Sequence, residues 1–143
     1  MVTFKIDKTT GFDAAGIAKI YDAANMLCTV LNSDAFKREL NNDTIYKLIM
    51  DGAELGKPDI DHCVNINITL YNKWWSKVIG YTYPGSMRTW VNKKFFNSMS
   101  SAELASHLCH EWCHLLGRSD KGPFNAYYIG GIVANIAERL GFV

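Results

Sequence analysis

The chain has 143 residues, of which 48% are hydrophobic and 20% charged, proportions that predict one globular domain over residues 1–143 and exclude a disordered protein. Its 15 basic and 14 acidic side chains leave a net charge of +1, which gives no electrostatic reason to expect nucleic acid or a membrane surface as a partner. No run approaches the roughly 18 apolar residues of a membrane span and no apolar leader is visible, so we expect a cytoplasmic protein or a mature secreted form.

The N-terminal part of the chain predicts one short strand followed by three helices. VTFKI at 2–6 is the predicted strand, and the segment 13–31 has the apolar spacing of a helix. Ser and Asp then restart a shorter helix over 33–40, and another helix is predicted to begin at Asp43. Residues 52–58 contain glycine and proline and are predicted to form a loop.

The middle of the chain predicts three strands. CVNINITLY at 63–71 alternates apolar and polar residues and is the clearest strand signal in the sequence. KVIGYTY at 77–83 is predicted to pair with it as a hairpin around 72–76. A Pro-Gly turn at 84–85 then leads into a third predicted strand, MRTWVN at 87–92.

A helix that is apolar over more than half of its circumference follows these strands. Ser100 or Ser101 can cap its start, with Glu103 near the third position of a capping box. At about 100° per residue, the polar residues fall on a single strip. This strip carries Glu103, His107, His110 and His114. A buried helix with one ionisable strip is expected where that strip lines a cleft.

The sequence HEWCHLLGRSD, which begins at His110, carries the clearest chemical signal. His110 and His114 lie one helical turn apart on the same face, and Glu111 lies about 100° around the helix from His110. Gly117 allows the backbone to leave the helix in a left-handed turn. Asp120, three residues later, can then swing back toward the two imidazoles as a third metal ligand.

This motif resembles the HExxHxxGxxH pattern of the metzincin zinc peptidases, with Asp120 in place of the last histidine as in snapalysin-like members. The segment after Asp120, KGPFNAYYIGG, is similar to that of small bacterial and phage zincins, which have an aromatic turn there. The resemblance implies an α+β, zincin-like single domain with a small mixed sheet, an active-site helix and a C-terminal helix, predicted here over 124–140. All five methionines precede the motif, so the methionine turn that metzincins carry after the third ligand is absent.

The resemblance also implies a zinc-dependent endopeptidase with one zinc ion per chain. Its ligands would be His110, His114 and Asp120, a set that leaves one position of a tetrahedral zinc site open for water. Glu111 would then act as the general base that takes a proton from the metal-bound water and passes it to the leaving amine. Tyr127 and Tyr128 are candidate oxyanion donors, because a tyrosine has that role in some metzincins, although tyrosines at a helix start also serve in packing.

In the zincin family the strand before the active-site helix forms the upper rim of the cleft and binds an extended substrate as an added strand. By resemblance, residues 87–92 would be that edge strand, and the partner would be a protein or peptide substrate.

Two other interpretations are open at the level of sequence. In a gluzincin-type peptidase, Glu138 would be the third ligand, although its neighbour Arg139 favours a surface ion pair. Alternatively, the chain is a non-catalytic zincin-fold binding module, against which the intact Glu111 argues because a module that only binds needs no general base.

Overall fold

A four-stranded mixed sheet organises the fold in the computed structural model, which describes residues 1–52, 61–83 and 87–141. The strands are β1 (Thr3–Thr10), β2 (Cys63–Tyr71), β3 (Gly80–Tyr83) and β4 (Met87–Asn92). Their order across the sheet is β1-β2-β4-β3. Strands β1, β2 and β4 run parallel to one another, and β3 runs antiparallel to β4.

Six helices in the described part of the chain complete an α+β domain. They are α1 (Ala14–Leu31), α2 (Asp34–Leu40), α3 (Asp43–Asp51), α4 (Lys93–Phe96), α5 (Ser101–Leu115) and α6 (Ala126–Arg139). The helix α5 packs against α1 and α6, and its fully buried Trp112 meets Phe4 of β1 edge to face at 4.9 Å. None of the described helices is long and apolar enough to cross a lipid bilayer.

Helix boundaries follow local capping signals, which explains why the sequence predicts them well. Asp13 caps α1, Ser33 caps α2 and Asn42 caps α3, each by accepting a hydrogen bond from a backbone N–H of the first turn. The last helix begins two residues later than predicted. Phe124 has a left-handed φ of 51°, and the helix therefore starts only after the N-cap Asn125.

The predicted hairpin between 63–71 and 77–83 is wrong. The strand β3 begins at Gly80 and pairs with β4, where Tyr81 lies opposite Trp90. Both edges of β2 are already occupied, because β1 and β4 flank it in parallel register. In chain order β3 comes before β4, so β3 forms one strand position away from β2, and β4 then fills the position between them. The turn predicted at 84–85, and residues 53–58 of the predicted loop, lie outside the described residues.

The prediction that residues 87–92 form the edge strand is also wrong. These residues form β4, which is hydrogen-bonded to β2 on one side and to β3 on the other. A strand with both edges paired has no free backbone groups to offer an extended peptide. The edge on this side of the sheet belongs to β3, which lies close to α5.

Candidate metal centre

The helix α5 turns one polar strip toward a cleft of about 680 Å³ between itself, β3 and the start of α6. Its start is fixed by the predicted capping box, in which the Ser100 hydroxyl accepts from the Glu103 N–H at 3.1 Å and the Glu103 carboxylate accepts from the Ser100 N–H at 3.3 Å. The opposite face is buried in the core. As predicted, the cleft is lined by Glu103, His107, His110 and His114.

Two imidazoles and one carboxylate converge at the C-terminal end of this strip. His110 Nε2 and His114 Nε2 each lie 3.3 Å from the same oxygen, Oδ1 of Asp120. One donor atom from each of the three residues lies within 4.8 Å of the others. Two imidazole nitrogens and a carboxylate oxygen are donors that zinc accepts, and three protein ligands are typical of catalytic zinc sites. The donor set therefore fits a zinc ion.

A helix-ending motif brings Asp120 back over α5. Gly117 has φ of 86°, a left-handed conformation that favours glycine. Its N–H donates to the His114 carbonyl at 3.1 Å, and the Arg118 N–H donates to the Cys113 carbonyl at 2.9 Å. These two bonds form a Schellman motif, which reverses the chain immediately after α5. The predicted left-handed turn at Gly117 is confirmed.

Arg118 then fixes the loop that carries Asp120. Its guanidinium donates to the carbonyl oxygens of Phe124 at 2.9 Å and Pro123 at 2.8 Å. The Ser119 carbonyl accepts from the Ala126 N–H at 2.8 Å, which ties the loop to the start of α6. The loop is therefore held at both ends.

The same loop orients one of the imidazoles. His114 Nδ1 lies 2.9 Å from the Arg118 carbonyl oxygen. Because a carbonyl can only accept, Nδ1 must carry the proton for this hydrogen bond to form. The lone pair of a neutral His114 is then on Nε2, the atom that faces Asp120. Such a carbonyl partner is a common second support for a metal-binding histidine.

Glu111 is buried beside this cluster with only 4% of its surface exposed, and it lines the cleft. Burial raises the pKa of its carboxyl group to about 7, an effect that nearby Asp120 reinforces and His114 opposes. A carboxyl group with a pKa near neutrality can both take up and release a proton at physiological pH.

His107 lies one turn before His110, and its Nε2 is 3.9 Å from Glu111 Oε1. Burial lowers the pKa of His107 to about 4, helped by the neighbouring His110, so the ring is neutral at pH 7. Within the described residues, its buried Nε2 has no hydrogen-bond partner. Burial and His114 likewise lower the pKa of His110, and Asp120 opposes this shift.

Gly80 lets the edge strand approach the helix at this point. A methyl group at Gly80 would lie 2.4 Å from the Trp90 carbonyl oxygen and 2.7 Å from His107 Nε2. Both distances are shorter than van der Waals contact, and the first involves backbone that cannot turn aside. Glycine is therefore required where β3 passes over the cleft.

The structure separates the remaining predicted residues. The Tyr127 ring lies 4.2 Å from the His110 ring between centroids and lines the cleft. Tyr128 instead packs edge to face on Phe124 at 5.6 Å and does not line the cleft.

Glu138 is exposed in the last turn of α6 and lies outside the cluster of donor atoms. The predicted surface pair is formed by Arg139 with Glu39 rather than with Glu138.

Several cleft residues have no motif in the sequence. His107 is visible on the polar strip of α5, but nothing in the sequence indicates that it faces Gly80. Lys77, Val78 and Ile79 form the wall before β3. Their position depends on β3 pairing with β4, which the local pattern does not encode.

Comparison of the chain with known protein families, with curated proteins and with solved structures finds no match. The interpretation of the cleft therefore depends on its residues and their geometry.

Proposed function

We propose that this protein is a zinc-dependent endopeptidase with a zincin-like site. The observation that carries the proposal is the convergence of His110, His114 and Asp120 beside a buried carboxyl group, Glu111, in one open cleft. A general base held next to a cluster of three metal-ligand side chains is the arrangement that metal-assisted hydrolysis requires. A purely structural site would need no such base, and structural zinc sites usually have four protein ligands.

In this proposal one zinc ion per chain is held by the two imidazoles and the carboxylate. When bound, zinc supplies Lewis acidity, which acidifies a water molecule and polarises a carbonyl group. The Glu111 carboxylate takes the proton from the water that attacks the peptide carbonyl. It then delivers that proton to the nitrogen of the leaving amine as the C–N bond breaks. The hydrogen bond to the Arg118 carbonyl orients the His114 imidazole so that its Nε2 faces Asp120.

The substrate in this proposal is a polypeptide that lies extended along β3. This strand is the sheet edge beside α5, and an extended chain can add to such an edge through backbone hydrogen bonds. Tyr127, with 65% of its surface exposed and its ring against His110, is the candidate donor to the developing oxyanion. Tyr128 has no such role in the proposal.

The test is the hydrolysis of a deep peptide library by zinc-loaded wild-type protein and by zinc-loaded Glu111→Gln. Glutamine keeps the size of the side chain but removes the base, so cleavage should fall by at least about a hundredfold. Zinc content, measured on the same samples, should be unchanged. Wild-type protein that carries zinc and cleaves no peptide in the library would overturn the proposal and favour a binding module.

A further inference from the structure

The segment of residues 72–79, here called the cleft-edge loop, is firmly anchored beside β3. The fully buried Asn92 side chain accepts from the Lys73 N–H at 3.2 Å and donates to the Lys73 carbonyl at 2.9 Å. The Asn92 N–H also donates to the Ile79 carbonyl at 2.8 Å, and Lys94 Nζ donates to the Ser76 carbonyl at 3.2 Å. The loop is therefore held in place through its backbone atoms, and none of these hydrogen bonds uses a side chain of the loop.

This anchored loop exposes large apolar side chains. Trp74 is 71% exposed, Trp75 65%, Val78 52% and Ile79 40%. The two indole rings meet edge to face at 5.9 Å. Isolated exposed apolar residues are ordinary, but four within six consecutive positions make a patch that typically marks a binding surface.

The loop also lies in the most basic part of the chain. Between Asp61 and Glu103 the sequence contains five basic residues and no acidic one. Because the whole chain has 15 basic and 14 acidic residues, the remainder holds 10 basic and 14 acidic residues. The net charge of +1 therefore conceals a basic segment of the sequence. At the cleft-edge loop this segment contributes the exposed Lys73 and Lys77, together with Lys94.

The apolar and basic surface continues directly into the cleft. Lys77, Val78 and Ile79 line the same cavity as Glu111 and the metal cluster. A chain that lay along β3 would thus meet these side chains as it passed Gly80. The surface is an extension of the cleft and not a separate groove.

We infer that the cleft-edge loop selects polypeptide substrates that carry an acidic side chain next to large apolar ones, on the flank of the scissile bond that lies beyond Gly80. This inference rests on the proposed peptidase function. Lys73 and Lys77 attract the acidic group, and Trp74, Trp75, Val78 and Ile79 cover the apolar ones.

A charge-swap experiment tests this inference. Peptides that differ only by Glu or Lys at each flanking position are cleaved by wild-type protein and by a double variant, Lys73→Glu with Lys77→Glu. Wild-type protein should prefer Glu at one flank by at least about threefold in kcat/KM, as expected for exposed charge pairs. The double variant should reverse that preference. The pair Lys5→Glu and Lys8→Glu on β1 makes the same change in net charge and should leave the preference unaltered.

Binding is measured separately from cleavage with zinc-loaded Glu111→Gln and fluorescently labelled peptides. Trp74→Ala and Trp75→Ala should weaken binding of peptides with large apolar flanks and should not change binding of those with alanine flanks.

Cleavage with no flank preference, or with a preference that charge reversal leaves unchanged, would overturn the inference while the peptidase proposal stands. Absence of cleavage with charge-dependent binding intact would instead overturn the peptidase proposal. A blue shift of tryptophan emission with phosphatidylglycerol vesicles but not with acidic peptides would assign the surface to membranes and overturn the inference.

Discussion

At the scale of single residues, Glu111 sits where burial opposes its charge. Its pKa of about 7 lies above the ordinary value of 4.5. Between these two pH values the folded state therefore holds a proton that the unfolded state has already lost. The folded protein is therefore destabilised as pH rises through this interval. Below pH 4.5 the group is protonated in both states and contributes nothing. The same desolvation that costs stability gives the carboxylate a pKa suited to proton transfer.

Glu111→Gln should consequently stabilise the metal-free protein at high pH. The gain over wild type should be near zero at pH 4, rise between pH 4.5 and 7, and level off above pH 7 at no more than roughly 3 kcal/mol, from about 1.36 kcal/mol per pKa unit. Urea unfolding in the presence of a chelator across this pH range measures it. A gain that is constant with pH would show that ionisation of Glu111 is not its cause.

Asp120 and Glu138 offer a second test at this scale. Asp120 Oδ1 lies 3.3 Å from both imidazole Nε2 atoms, whereas Glu138 is exposed and outside the cluster. Asp120→Ala should weaken zinc binding by at least about tenfold, because two protein ligands rarely hold zinc. Glu138→Ala should bind zinc as the wild type does. Competition with a chromophoric chelator measures both, and the reverse ranking would move the third ligand to α6.

At the scale of elements, the contact between β3 and α5 depends on Gly80. Gly80→Ala places a methyl group 2.4 Å from the Trp90 carbonyl oxygen, so β3 must shift away from β4 or from the helix. We expect a loss of about 1–3 kcal/mol in the free energy of unfolding, as for other overpacked sites. Thermal or urea unfolding measures this loss.

Gly131 in α6 is the matched control. A methyl group there meets nothing within 4 Å, and the residue lies inside a helix. Gly131→Ala should therefore stabilise the protein by about 0.5–1 kcal/mol, the ordinary helix preference of alanine over glycine. Equal effects of the two substitutions would contradict a specific role for Gly80.

The same elements show what local sequence can and cannot encode. Helix α5 is predictable because its apolar periodicity, its capping box and the Gly117 exit all lie within a few residues of one another. The proximity of His110, His114 and Asp120 follows from that helix and one turn. The pairing of β3 with β4 does not follow, because β2 and β4 pair in parallel through residues 21 positions apart in the sequence, such as Ile66 with Met87, and the sheet order decides which strand is left at the edge. The wall formed by Lys77, Val78 and Ile79 cannot be predicted from local sequence for the same reason.

At the scale of the whole molecule, metal binding should be coupled to stability. The cluster joins the end of α5 to the loop before α6, two parts of the chain that unfolding would separate. A ligand that binds only the folded state stabilises it in proportion to the logarithm of its concentration. Zinc at about 100 times its dissociation constant should add roughly 3 kcal/mol to the free energy of unfolding. His114→Ala should abolish this gain, which thermal unfolding with and without zinc would reveal.

Zinc stoichiometry is the measurement that tests the proposed site most directly, since in the proposal Glu111 and the β3 edge act only beside a bound metal. Elemental analysis of purified protein, dialysed against zinc and then against metal-free buffer, should give one zinc per chain for wild type. Glu111→Gln should also hold one zinc, because Glu111 is not a proposed ligand, and His114→Ala should hold essentially none. Wild-type protein without zinc, or His114→Ala with one zinc per chain, would contradict the assignment of His110, His114 and Asp120 as the metal centre.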